Sequence, residues 1–262
     1  MNYEHNIVLF ISSSDNTLDI LRQVIRSFDF CWPDCPFTKF VGLNSIVDET
    51  TVFGFQPVYL SVRGWREELL GQILQLPEQY EYILLFLDDF LIFSPVDADR
   101  LHRMLNSAMH RELDYLRLVP QKRAVIPAIA KKIFRNAGTD IEPISVHSPY
   151  YSSLQVALWK RRHLMKMLES NEGNIWGFEH QMITGHPHFA IVGMPPIQYV
   201  HVVEKGKWLP YTPRLFRKFN LPFCAGDRVV QGRLTYLTLW LNRVKFAILG
   251  YAIVRLKQYL RA

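Results

Sequence analysis

Apolar and polar positions alternate along this chain in two rhythms. Asn6 to Ile11 is a short apolar run that stops at SSSDNT, after which LDILRQVIRSF spaces Leu18, Leu21, Val24, Ile25 and Phe28 along one helical face. The first predicts a strand and the second a helix. Beyond the loop CWPDCP, FTKFVGL and PVYLSV read as two further strands, and WREELLGQILQL returns to helical spacing. Ile83 to Leu87 then has the length and composition of a buried strand. VDADRLHRMLNSAMHREL predicts a helix with Asp97 as its N-cap, followed by a strand in DYLRLVP. Residues 121–153 are irregular, and loops of that length tend to be functional or mobile. SLQVALWKRRHLMKMLES reads as strand into helix, GNIWGFEHQMITG as a short helix or turn, and FAIVGMPPIQYVHVVEKGKW as an extended pair with a basic loop. Strands and helices in this order predict an α/β fold with a mostly parallel, Rossmann-like sheet covered on both faces.

The stretch YILLFLDDFLIFS carries two adjacent carboxylates, Asp88 and Asp89, inside the most apolar run of the chain. They fall where the strand ends, and in open α/β sheets ligands bind at the carboxyl ends of strands. Adjacent carboxylates repel unless a cation shares the site, so a divalent metal is one reading. The other is that one Asp caps the next segment and its neighbour is solvated.

Composition bounds the class. With 262 residues, 49% of them apolar, the chain can bury one sizeable core and carry an appendage. Its net charge of +6 is unevenly placed. From Arg228 onward there are seven Lys or Arg and no acid, a charge of +7, which leaves about −1 for the first 227 residues. A catalytic body so nearly neutral argues against a nucleic-acid groove. The expected division is therefore a catalytic domain over 1–227 and a basic, apolar helical tail over 228–262. Three cysteines, Cys31, Cys35 and Cys224, are too few for a disulfide framework. The opening MNYEHNIVLFIS lacks the pattern of a secretory signal, so a cytoplasmic protein is expected.

Taken together, VLFISSSDNTLDILRQVIRSF with WPDCPF, then GWREELLGQILQLPEQYEYILLFLDDF, then SSLQVALWKRR followed by WGFEHQ, resemble a bacterial GT-A glycosyltransferase of surface-polysaccharide assembly. The resemblance spans residues 6 to about 208 and rests on the order of these blocks. It implies that Leu87-Asp88-Asp89 matches the acidic motif that binds a divalent metal across the two phosphates of a nucleotide-sugar. Asp89 would be the direct metal ligand and Asp88 a ribose or outer contact. Hard oxygen ligands suit Mn²⁺ or Mg²⁺, and such a metal neutralises charge on a departing diphosphate.

The same resemblance makes Glu179 the base of an inverting, single-displacement transfer. An apolar wall at Trp176 and Phe178 would raise its pKa, whereas the plainer reading pairs it with Arg161 or Arg162. It also implies that His201 completes the metal site and that Lys205 and Lys207 belong to a basic loop over the diphosphate. The alternatives are a structural histidine and a solvated hairpin tip. Ser12, Ser13 and Asp15 would hold the nucleotide base and ribose, though Asp15 equally fits a helix cap. Arg63 and Trp65 are placed toward the donor, and Tyr150, Tyr151, Gln155 and Trp176 toward the acceptor, where aromatic faces suit sugar rings.

LTYLTLWLNRVKFAILGYAIVRLKQYL is apolar but broken by Asn242, Arg243 and Lys245 before it reaches the roughly 20 residues a span needs. Leu237, Leu241, Ile248 and Ala252 share a side, opposite Arg243, Lys257 and Arg261. Two readings stand: a helix lying on an anionic inner-leaflet surface, where a lipid-linked acceptor would be met, or a helix packed on protein. Two other functions compete with the transferase. A sugar-phosphate nucleotidyltransferase would carry a Gly-rich basic loop after the first strand, and SSSDNT has neither Gly nor Lys. A non-catalytic glycan- or partner-binding module would need no base.

Overall fold

A computed structural model describes residues 4–48, 52–120, 141–146, 148, 150–170, 175–180, 185–238 and 241. The side chains of Trp176 and His180 lie outside this description. The chain divides into two compact units, Met1–Val200 and His201–Ala262. The expected boundary lay after residue 227.

The first unit is built on an eight-stranded sheet in the order β3-β2-β1-β4-β8-β6-β9-β7. At its centre lies β1 (Ile7–Ser12), all six residues of which are buried. Strands β2 (Thr38–Leu43) and β4 (Tyr82–Leu87) flank it in parallel, and β3 (Gln56–Tyr59) extends the sheet beyond β2. A strand covered on both faces needs apolar residues at every position rather than at alternate ones, and IVLFIS and YILLFL both have them.

Helix α1 (Leu18–Cys31) covers one face with the spacing read from the sequence, setting Phe28 edge-on to Phe86 of β4 at 6.1 Å. The other face carries α2 (Trp65–Leu74) and a helix numbered below as α4, whose Leu69, Ile73, Leu164 and Met167 meet Val8, Phe10, Ile83 and Leu85. Gly42 of β2 passes close under α2. A Cβ there would lie 2.9 Å from Phe10 Cζ and would collide with the amide of Gln72.

The apolar run after Tyr82 is not one strand. Asp88 and Asp89 form a turn, and Phe90–Ile92 (β5) leaves the main sheet to pair with the strand that begins at Tyr199. Helix α3 (Ala98–His110) follows, and the Asp97 carboxylate accepts from the Arg100 amide at 3.0 Å, the cap expected there. Next come β6 (Tyr115–Arg117) and, within the segment read as irregular, β7 (Ile141–Pro143). Residues 121–140 of that segment lie outside the described residues.

The remaining elements are β8 (Ala157–Lys160), α4 (Arg161–Ser170), α5 (Ile175–His180) and β9 (Phe189–Ile191). The sheet is mostly parallel and helix-flanked, as expected, but β8 runs antiparallel between β4 and β6. VALW has the composition of a buried parallel strand, and a hydrophobic run carries no direction. What fixes the direction is the backbone: Lys160 N donates to Asp114 O at 2.9 Å and Arg161 N to Glu81 O at 2.8 Å. The Arg161 guanidinium then donates to the carbonyls of Ile73, Leu76 and Pro77, each at 2.9 Å, which satisfies the carboxyl end of α2.

The second unit begins with the end of β10 (Tyr199–His201), then a hairpin of β11 (Val203–Glu204) and β12 (Lys207–Trp208). Lys205 and Gly206 both have positive φ, 49° and 74°, the pairing a tight two-residue hairpin favours. Trp208 is buried, donates from Nε1 to Ala225 O at 2.8 Å and meets Phe223 at 5.3 Å. Helix α6 (Thr212–Lys218) follows, and a last helix starts at 233. Among the described residues no helix is long and apolar enough to cross a membrane. Most of the apolar tail, including Asn242, Arg243 and Lys245, lies outside them.

Gly42→Ala is expected to destabilise the first unit by about 1–3 kcal/mol, because both neighbours are buried and must give. Urea unfolding checks this, and an unchanged midpoint would show that α2 is not packed closely on β2.

Candidate functional site

The carboxyl ends of β1, β4 and β6 lie along one edge of the sheet. Because β8 is reversed, its amino end joins them. Leu85 pairs with Ala157, so two residues further on Leu87 and Gln155 stand on neighbouring strands at this edge. Strands so paired are about 4.8 Å apart. The Asp88-Asp89 turn therefore lies beside the Ser153–Val156 segment.

Three hydrogen bonds build the β1–β4 part. Asp88 N donates to Ser12 O at 3.2 Å, continuing the parallel pairing past Leu87. Ser13 Oγ donates to Asp88 Oδ2 at 2.8 Å, and a further contact joins Ser13 Oγ to Thr17 Oγ1 at 3.3 Å. Both aspartates are half-buried. Asp15 is not the helix cap, since Ser14 holds the N-cap position of the short 3-10 turn Asp15–Thr17. The Asp15 carboxylate instead accepts from the amides of Asn44 and Ser45 at 3.0 and 3.2 Å and from the Ser45 hydroxyl, while Asn44 Oδ1 accepts from Asp15 N at 3.0 Å. It ties the loop after β1 to the loop after β2.

Glu179 sits on α5, which is anchored by Phe178. That ring is fully buried between Trp65 at 5.7 Å and Trp159 at 5.9 Å. From this anchor Glu179 Oε1 accepts from Leu154 N at 2.9 Å and from Ser153 Oγ at 3.2 Å. Oε2 accepts nothing from the described residues. The ion pair with Arg161 is not formed, because that guanidinium is committed to α2. Trp65, expected at the donor, is half-buried and packs on Phe178, the residue that positions Glu179.

Two residues not singled out by the sequence complete this edge. Tyr199 stacks on Phe90 at 4.5 Å, and its hydroxyl accepts from Val156 N at 3.4 Å. Burial holds its phenol above the usual range; Val156 and Arg117 oppose the shift, and the charges of Asp89 and Glu179 add to it. Arg117, at the end of β6, is 6% exposed; one terminal nitrogen donates to Tyr150 O at 3.4 Å, and Nε is buried without a partner among the described residues. A lone arginine in LRLVP carries no spacing signal. Only the sheet order places it here.

The acceptor-side residues separate. Tyr151 is 4% exposed, its ring stacked on His188 at 4.4 Å, so it offers no face to a sugar and is corrected to a core residue. Its hydroxyl accepts from His188 N at 2.9 Å. Tyr150 is exposed, with φ 58°, and Gln155 is half-buried beside the aspartate turn. The Trp176 side chain lies outside the described residues. Arg63 is exposed just before α2. In the second unit His201 is exposed, its carbonyl accepts from the Tyr211 hydroxyl, and Lys205 and Lys207 are solvated around the hairpin tip. An open cleft of about 500 Å³, lined in part by Tyr82, Glu112, Lys160 and Arg162, lies at the opposite end of the sheet. None of the expected site residues lines it.

No family model matches the chain, and none of the curated proteins does. Among solved structures it is similar to S. aureus TarS 1–349, at 9% identity and TM-score 0.45 over 82% of this chain. The same TarS fragment in complex with UDP-GlcNAc gives 10% and 0.48 over 78%. This chain spans 63% and 60% of those two chains. The galactosyltransferase LgtC with donor and acceptor sugar analogs matches at 10% and 0.42, covering 86% of this chain and 87% of that one. A cytidylyltransferase from Leptospira borgpetersenii matches at 9% and 0.39, covering 67% and 68%.

Arg117 is a buried cation, and burying a charge is costly in a folded chain. Arg117→Met is expected to leave unfolding free energy unchanged or raise it by up to about 4 kcal/mol. A loss of about 3 kcal/mol or more in urea unfolding would show instead that Arg117 belongs to a structural ion pair.

Proposed function

We propose that this chain is a metal-dependent GT-A glycosyltransferase. It would move a sugar from a nucleotide-sugar, a UDP-sugar favoured, to a hydroxyl of a growing polysaccharide or lipid-linked acceptor, with inversion. The observation that carries this reading is the meeting of two acidic groups at one edge of the sheet. Asp89 lies in the turn after β4, beside the segment leading into β8, and Glu179 of α5 is hydrogen-bonded to Ser153 and Leu154 of that segment.

The residues present fit a divalent metal. Asp88 and Asp89 offer hard oxygen ligands in a half-buried turn, and Ser13 orients one Asp88 oxygen. Asp89 would hold the ion, with Asp88 and Ser13 steering the ribose side. When bound, Mg²⁺ or Mn²⁺ supplies neutralising charge to the diphosphate.

Glu179 has the form of a positioned base. Its Oε1 is fixed by Leu154 N and Ser153, leaving Oε2 to accept the acceptor hydroxyl's proton. As that proton moves, the acceptor oxygen bonds to the anomeric carbon from the side opposite the diphosphate. The bond from that carbon to the diphosphate oxygen breaks, and the nucleoside diphosphate leaves with the electron pair. A single displacement of this kind inverts the anomeric centre.

The lipid-linked acceptor is supported by the start of the tail. Leu234, Leu237 and Leu241 are 82%, 49% and 52% exposed at helical spacing, ahead of a run rich in Lys and Arg. An apolar, basic helix of this kind suits an anionic inner-leaflet surface.

Glu179→Gln keeps the shape and hydrogen bonding of the side chain and removes the base. Transfer should fall by on the order of 10²–10⁴ while nucleotide-sugar affinity changes little. Calorimetry and transfer rates on the same preparation check this, with product configuration read by NMR for the parent. Near-normal turnover in the variant would remove Glu179 as the base, and retained configuration in the parent would remove the single displacement.

A further inference from the structure

At the amino ends of β4 and β6, across the sheet from the aspartate turn, four side chains gather that the proposed transfer does not use. Asp114 immediately precedes β6, His163 lies in the first turn of α4, and His186 and His188 lead into β9. Asp114, His163 and His186 each offer one ligand atom, all within 4.8 Å of one another. We propose that Asp114, His163 and His186 form a binding site for a divalent transition-metal ion of the zinc class.

The hydrogen bonds determine where the lone pairs are. His188 Nδ1 lies 3.2 Å from the carbonyl oxygen of Tyr151, which only accepts, so Nδ1 carries the His188 proton. His188 Nε2 then accepts from His163 Nε2, 2.9 Å away. This leaves the lone pair of His163 on Nδ1. His163 is 2% exposed, and Nδ1 is buried without a hydrogen-bond partner among the described residues. An unfilled buried acceptor is costly, and a metal ion is a group that fills an imidazole lone pair.

The other two groups have the chemistry of ligands. His186 Nδ1 and Asp114 Oδ2 lie 2.7 Å apart. Two imidazoles and a carboxylate suit zinc or its neighbours, not the Mg²⁺ or Mn²⁺ that the all-oxygen aspartate turn favours. Three protein ligands leave a coordination position for water. Zinc–ligand bonds of about 2.0–2.2 Å require the three groups to draw together slightly. His188 is the outer partner that fixes the His163 tautomer, the arrangement metal-bound histidines commonly show. An ion here would fasten β6, α4 and the approach to β9, three segments distant in sequence.

The test is calorimetric titration of chelator-treated full-length protein with Zn²⁺, together with visible absorption on Co²⁺ addition and thermal unfolding with and without Zn²⁺. The parent should bind one equivalent at this site, give an intense visible Co²⁺ band from four-coordinate ligation, and unfold at higher temperature with Zn²⁺. His163→Ala and Asp114→Asn should weaken binding by more than about 100-fold, beyond what losing an outer partner costs. If His163→Ala fails to fold, His186→Asn, whose side chain is 32% exposed, serves in its place. Absence of binding and of a visible band in the parent, or parent-like affinity in folded His186→Asn, would overturn the site.

Discussion

The reversed strand β8 is the constraint on which the proposed chemistry depends. Were it parallel to β4 and β6, its amino end would lie at the opposite side of the sheet, and Glu179, which holds Leu154 and Ser153, would lie there with it. Reversal brings that segment beside Asp88 and Asp89. The antiparallel ladder from Tyr82–Lys160 to Leu85–Ala157 sets the register of this meeting. Its packing sets the rigidity: Tyr115 and Trp159 face each other across β6 and β8, with ring centroids 4.3 Å apart. Trp159 also meets Phe178, one residue from Glu179.

The two ends of the sheet differ in kind. The carboxyl-end edge collects oxygen donors, a buried arginine and a phenol whose ionisation is suppressed, a polar surface suited to a charged, hydroxyl-rich donor. The amino-end cluster collects imidazoles around a carboxylate and belongs to the core beneath β6, β8 and β9. Stacking of Tyr151 on His188 joins the latter to the loop that carries Tyr150. Tyr150 O in turn accepts from Arg117. The buried histidines therefore support the backbone from which the candidate site is built.

Much of the fold was legible because it rests on burial. The strands of IVLFIS and YILLFL, the helix of LDILRQVIRSF and the Asp97 cap all follow from apolar spacing and capping chemistry, and each is found where expected. Strand direction was not legible, because VALW packs equally well either way, and with it went the positions of Arg117 and Tyr199. Asp88, Asp89 and Glu179 were expected to act together from residue type and from the resemblance, and the structure brings them to one edge. Tyr151 misled because a tyrosine in a polar loop resembles a sugar-facing ring until its partner, His188, is known. Asp15 was ambiguous for a similar reason: its hydrogen-bond partners, Asn44 and Ser45, come from a distant loop.

The central claim is that Asp89 joins a nucleotide and a divalent metal at the carboxyl end of β4. Thermal unfolding of the parent and of Asp89→Ala, with UDP alone and with UDP plus Mn²⁺, tests it most directly. At saturating ligand the parent should gain on the order of 2–4 kcal/mol, a shift of several degrees that needs nucleotide and metal together. Asp89→Ala should show none of this joint shift. A parent indifferent to UDP and Mn²⁺, or a folded variant stabilised as the parent is, would contradict the account.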